Sequence, residues 1–144
     1  MFVNQLSVFL ENREGRLGQV LETLKEQDIN IVSLSLADSS DYGLLRLLVS
    51  DAEKGKKALK DKGFTAMLTP VLAVKMAHRV GKLQELLAVI CKAGINIEYM
   101  YALSTGTDDA SMVIRTKNLE QSAEILKAAG VEFIKEEELI KNDH

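Results

Sequence analysis

One cysteine, one proline, two histidines and no tryptophan stand among 144 residues, and these scarcities remove several classes of protein. A lone thiol, Cys91, can form neither an intrachain disulfide framework nor a cysteine-rich metal site, so nothing calls for an oxidising compartment. With His78 as the single internal histidine and His144 at the last position, no nucleophile and base pair can be built around an imidazole, and the chain is read as non-catalytic. No apolar run approaches the roughly 20 residues of a membrane span. The opening MFVNQLSVFL lacks the basic stretch and small-residue cleavage site of a secretory signal, so a cytoplasmic location is expected. A dominant charge is missing too: 18 basic against 21 acidic residues, net -3, give no electrostatic reason to bind nucleic acid or an anionic membrane.

What is present suits a packed protein. Hydrophobic residues make up 47% and charged residues 27% of the chain, and the length fits one ordinary domain or two of about 70 residues. A shift of 66 residues favours two, because it lays GRLGQVLETLKEQDINI (15–31) over GKLQELLAVICKAGINI (81–97) with six identities in 17 pairs. The identities are Gly15/Gly81, Leu17/Leu83, Leu21/Leu87, Ile29/Ile95, Asn30/Asn96 and Ile31/Ile97. A period this long indicates a duplicated domain, 1–69 and 70–144, rather than a stacked array.

Both halves read in the same order. Residues 2–10 alternate, with Phe2, Leu6, Val8 and Leu10 on one face and Gln5, Ser7 and Phe9 on the other, as in a half-buried strand. Leu17, Val20, Leu21 and Leu24 then give residues 16–27 an amphipathic helical period. Strands follow at 29–37 and 44–50, a helix at 52–62 closed by Gly63, and a strand at 64–69. The second half gives a strand at 71–76, a helix at 82–93, strands at 95–104 and 110–116, a helix at 119–129 closed by Gly130, and a strand at 131–134 before a charged tail. The fold class is therefore α+β, two tandem βαββαβ domains of ferredoxin-like type. Pro70 falls at the junction, where it is expected to interrupt strand pairing.

Several functions use this order, so particular residues must decide. RNA recognition needs stacking aromatics on the central strands, and LLRLLVS and ASMVIRT have none. A metal chaperone needs a thiol pair in the first loop, and ENREG and AHRVG have no cysteine. A phosphate-cradling hydrolase needs a glycine-rich first loop, and each of these has one glycine. No metal and no cofactor is implied.

The first loop and helix suggest binding instead. Gly15 lets the backbone turn sharply and come close to a ligand, and the helix behind it presents N–H groups that suit a carboxylate. The amides of Asn12 and Asn30 can hold an ammonium or a carboxylate without burying a side-chain charge. A small zwitterion, an amino acid, fits this chemistry. Against that stands a plainer reading, in which Gly15 and Gly81 only turn the chain and Asn30 and Asn96 only close helix-to-strand turns. Cys91 is expected to be packed inside. Tyr99 and Tyr101 share with Ala73 the face away from the helices. That face is expected to be open and to form a homodimer.

The stretch FLENREGRLGQVLETLKEQDINI, with its Glu-Asn-Arg-X-Gly-X-Leu turn at Glu11 to Leu17 and its Ile-Asn-Ile at 29–31, resembles the opening of an ACT domain. ACT domains are regulatory modules of amino-acid metabolism, and the nearest likeness is to the serine-binding ACT domain of phosphoglycerate dehydrogenase. The second half keeps Gly81, Leu83 and Ile95-Asn96-Ile97, so the resemblance to tandem ACT proteins covers nearly the whole chain. It implies two domains edge to edge in one eight-stranded antiparallel sheet with helices on one face. It also implies ligands held where the first loop of one domain meets the start of the second strand of its neighbour. One site would then comprise Leu10, Asn12, Arg13, Glu14, Gly15, Arg16 and Leu17 with Asn96. The other would comprise Met76, His78, Val80, Gly81, Lys82 and Leu83 with Asn30. Where the serine-binding pattern has a histidine, Leu10 and Met76 stand here, which favours a more apolar ligand side chain. The partners implied are this ligand, a second copy of the chain and, on an alternative reading as a structural or interaction subunit, an enzyme of amino-acid metabolism.

Overall fold

The computed structural model describes residues 2–11, 14–38, 41–76, 81–103 and 110–141. The chain divides between Thr69 and Pro70 into two compact units. The first holds Asn4–Thr69 and the terminal residues from Leu139, and the second holds Pro70–Glu138 and the first residues through Val3.

In the first unit the order is β1 (Val3–Glu11), α1 (Arg16–Glu26), β2 (Ile31–Asp38), β3 (Tyr42–Val49), α2 (Ala52–Asp61) and β4 (Thr65–Met76). The strands lie in the order β2-β3-β1-β4, the ferredoxin-like arrangement. Alternation fixes the register: Leu6 stands opposite Leu47 and Val8 opposite Leu45 on β3, so one face of each strand is apolar. That face packs with Val20 and Leu24 of α1 and Leu59 of α2 into one core. Each such side chain contributes about 1.5–3 kcal/mol when fully buried. Gly55 lets α2 approach this core, since a Cβ there would come within 3.3 Å of Leu6 and Leu24.

The second unit uses Pro70–Met76 of β4, then α3 (Lys82–Lys92), β5 (Ile97–Leu103), β6 (Ala110–Thr116), α4 (Leu119–Ala128) and β7 (Glu132–Phe133). Its strand order is β5-β6-β4-β7. Leu72, Val74 and Ile114 of the strands meet Leu86 and Ile90 of α3 and Leu126 of α4 in a second core. Helices α1 to α4 end in the same way. The amide of an apolar residue just beyond the helix (Ile29, Phe64, Ile95 or Val131) bonds back to the carbonyl of Leu24, Leu59, Ile90 or Leu126, after a residue of positive φ.

Five expectations are corrected. Among the described residues there are seven strands and not eight, because 64–69 and 71–76 form the single strand β4. Pro70 does not break it: extended backbone suits the proline, and the ladder with β6 begins beyond it, at Leu72. The Pro70 carbonyl accepts from Arg115 Nη1 at 2.6 Å. The charged tail includes a short helix, α5 (Glu136–Lys141), with Leu139 buried. Cys91 is exposed, since Leu86 and Ile90 supply the buried stripe of α3 and position 91 turns about 100° away from it. Finally, the sheet face carrying Ala73 is not open. Val71, Ala73 and Val113 have no exposed surface within the single chain, and Tyr99 and Tyr101 are half-buried.

Candidate functional site

Both strand-to-helix loops end on a glycine in the left-handed region, Gly15 at φ 86° and Gly81 at φ 87°. These glycines occupy the N-cap positions of α1 and α3, and neither helix has a side-chain cap. The other long helices are capped. Asp51 accepts from the Lys54 amide at 3.1 Å and Asn118 from the Gln121 amide at 3.1 Å. In α1 and α3 the intrahelical ladder begins with Gln19 N to Gly15 O at 3.0 Å and Glu85 N to Gly81 O at 2.9 Å. The amides ahead of those points, in residues 16–18 and 82–84, therefore have no partner within their helix. A Cβ at Gly15 or Gly81 would meet no atom within 4 Å, so conformation rather than crowding demands glycine, and the space beside each is open. Two helix N-termini with the positive end of the dipole uncapped suit a carboxylate.

The other predicted residues are distributed around these junctions. Leu10 is buried opposite Gly43, and Glu14 is exposed. Leu17 packs against the first core, Met76 against the second, and Leu83 is exposed. Arg16 turns away from the loop: its guanidinium stacks 4.1 Å from the centre of the Phe64 ring and donates to Gln19 Oε1 at 2.8 Å. Lys82, at the matching position, pairs with Glu85 at 3.2 Å. Asn12, Arg13, His78 and Val80 lie outside the described residues.

Asn30 and Asn96 stand at the other end of their helices. The Asn30 amide donates to Ser50 Oγ at 2.9 Å and its carbonyl accepts from the Ser50 amide at 2.9 Å. The Asn96 carbonyl accepts from the Lys117 amide at 3.2 Å. The backbones thus tie the start of the second strand to the end of the third. The tight turn itself belongs to Asp28 and Gly94, at φ 58° and 74°. Among the described residues neither asparagine side chain is hydrogen-bonded, and Asn30 borders a hollow of about 310 Å³ with Leu21, Lys25 and Ile31. Eleven helical residues separate Gly15 from this end, roughly 16 Å at about 1.5 Å per residue. Within one unit, no amino-acid-sized ligand can touch both.

Sequence reasoning missed a cleft of about 390 Å³ in the second unit, to which Lys75, Val89 and Val131 contribute beside Met76 and Lys82. The available signal was the pairing of Val131 with Phe64 one residue beyond Gly130 and Gly63. Among the described residues no three of His, Cys, Asp and Glu gather as a metal site would require. No helix among them is long and apolar enough to cross a membrane.

Two βαββαβ units, each with an uncapped glycine-led first helix, agree with a family model for an ACT domain pair that matches residues 1–142. The chain belongs to the ACT domain pair family. Among solved structures this ACT pair is similar to protein BT0572 from Bacteroides thetaiotaomicron, with 38% identity over 98% of this chain and 97% of that one and a TM-score of 0.91. It also shares its fold with the ligand-free regulatory subunit of aspartate kinase from Thermus thermophilus (16% identity, 88% and 89% covered, TM-score 0.62). The corresponding subunit from Thermus flavus is comparable (18% identity, 88% and 92% covered, TM-score 0.60). No curated protein matches the ACT pair.

Proposed function

We propose that this ACT domain pair is a non-catalytic regulatory protein that binds an amino acid where the first loop of one domain meets the start of the second strand of another. The observation that carries this reading is the contrast in capping. α2 and α4 are closed by Asp51 and Asn118, whereas among the described residues no side chain caps α1 or α3, behind the two candidate loops. The carboxylate of the ligand binds these amides, and the amide groups of Asn12 and Asn96, or His78 and Asn30, complete the two sites. Leu10 and Met76 favour a ligand with an apolar side chain. Two proteins that share the fold are regulatory subunits of aspartate kinase, which is in keeping with a regulatory role.

A thermal-shift screen against the twenty amino acids tests the proposal, because a ligand that binds only the folded state raises Tm. The expected result is a selective rise that Asn12→Ala or Asn96→Ala removes. No rise with any amino acid overturns it.

One observation favours a second reading, an interaction subunit. Leu34 and Leu36 of the edge strand β2 lie on the helix side, opposite Leu47 and Leu45, yet are 46% and 48% exposed. An apolar edge of this kind suits contact with another protein, either a second copy or an enzyme partner.

A further inference from the structure

The cleft in the second unit lies between the outer side of α3, the end of β4 and the turn from α4 into β7, wholly within one domain. Its floor is apolar, formed by Met76, Leu86, Val89 and Val131. Its charged groups come in opposite pairs. Lys82 Nζ is 3.2 Å from Glu85 Oε2, and Lys75 Nζ is 3.8 Å from Glu132 Oε1 and 3.2 Å from Glu138 Oε2. Of these, Lys75, Lys82, Glu85 and Glu132 line the cleft and Glu138 does not, so the lining presents both signs in equal number. A purely anionic ligand would meet Glu85 and Glu132, and a purely cationic one Lys75 and Lys82, each with a repulsive partner. A zwitterion gives every charge an opposite neighbour, and the floor accepts an aliphatic or thioether side chain. At about 390 Å³ the space is near the small end of ligand pockets, which run from about 300 to 1,000 Å³.

The duplicated half provides an internal comparison. A hollow of about 370 Å³ occurs at the matching place in the first unit, lined by Arg16, Gln19, Thr23 and Phe64 together with Glu22, Glu26 and Lys62. The 66-residue shift pairs Arg16, Gln19 and Thr23 with Lys82, Glu85 and Val89, and the matching helix ends, one residue further offset, pair Phe64 with Val131. In the first unit Arg16 is committed to the Phe64 ring and to Gln19, the position of Glu85 is taken by that neutral amide, and a threonine interrupts the floor. Both hollows carry both signs of charge, and only the second sets them around an unbroken apolar floor of Met76, Leu86, Val89 and Val131.

The geometry points to this cleft as an amino-acid site for zwitterions with an aliphatic or thioether side chain, distinct from the two domain-boundary sites although it shares Met76 and Lys82 with one of them. It shares the ligand class of the proposed function but not its location. Val89 and Val131 belong to the cleft alone.

Methyl NMR on the full chain titrated with L-leucine and L-methionine tests it. The expected result is saturable shifts at the Val89, Val131 and Leu86 methyls, absent with isopentylamine or 4-methylpentanoate at the same concentrations. Val131→Phe, which installs the residue that the first half carries at this point, is expected to weaken binding by at least about tenfold. Should that variant fail to fold, Glu85→Lys, which inverts the partner of the ligand ammonium, is expected to do the same. Silent methyls, equal binding of either analogue, or unchanged affinity in the folded variant overturns the assignment. Asn12→Ala separates the two sites, since it is expected to leave the methyl shifts intact. A thermal shift lost in Asn12→Ala with silent Val89 and Val131 methyls overturns the cleft and leaves the boundary site standing.

Discussion

Replacing Gly15 with alanine separates the two roles open to that residue, a turn and a point of ligand approach. At φ 86° a non-glycine residue is held in the left-handed region, which costs roughly 1–2 kcal/mol for an L-amino acid. No packing penalty adds to this, because the new methyl would meet no atom within 4 Å. The expected loss of stability is therefore about 1–2 kcal/mol, several degrees in Tm. Gly63, at φ 91° with equally open surroundings but behind α2, is a matched control, and Gly63→Ala is expected to cost about the same. The two variants are expected to part company in binding. If a carboxylate sits against the amides behind Gly15, the methyl intrudes where the backbone must come close, and affinity falls by about tenfold or more, equivalent to about 1.4 kcal/mol. Calorimetric titration with the amino acid found in the screen reads this directly, with urea unfolding supplying the stability of each variant. Refutation would be wild-type affinity in Gly15→Ala, or an equal loss in Gly63→Ala.

Two further perturbations follow from the geometry. Asp28 is the single non-glycine residue of positive φ among those described, and Gly94 holds the same place in the second half. Asp28→Gly is therefore expected to stabilise the protein by about 0.5–1 kcal/mol after the extra chain entropy of glycine is counted, read as a higher urea midpoint. The Glu138 carboxyl is held below its ordinary value of 4.5, first by the hydrogen bond from the Lys135 amide and then, against some desolvation, by the Lys75 ammonium. A depressed folded-state pKa contributes stability above the unfolded value and loses it as pH falls through the folded one. Glu138→Gln is thus expected to lower stability at neutral pH and to converge with the wild type below about pH 4.5. A stability difference that stays constant from neutral to acid pH would contradict this.

The strands and helices were legible wherever one period dominated. Leu6, Val8 and Leu10 alternate, Val20 and Leu24 recur at helical spacing, and all lie in the first core. Features set by distant parts of the chain were not legible. Pro70 reads locally as a breaker, yet it lies within β4, just before the ladder with β6 begins at Leu72. Glu136 to Lys141 reads only as part of a charged tail, but it forms a short helix in which Leu139 finds a buried place. Cys91 adjoins Ile90, and one residue along a helix is enough to turn a side chain from core to solvent. Of the candidate site, Gly15 and Gly81 could be read from the repeat. The cleft could not, because it depends on the space left between Lys75 and Val131, residues far apart in sequence.

The placement of Gly15 and Asn30 at opposite ends of α1 also bears on regulation. If one ligand engages both kinds of group, they must come from different domains, since the span within one domain is roughly 16 Å. Its binding free energy then depends on how the two domains are placed, and by reciprocity the ligand favours the placement that binds it more tightly. A ligand confined to the cleft of the second domain touches α3, β4 and β7 alone and carries no such dependence on a neighbour. The two kinds of site therefore differ in consequence even for the same amino acid. On the proposed function, occupancy of the first would report on domain arrangement, whereas occupancy of the second would stabilise one domain by mass action.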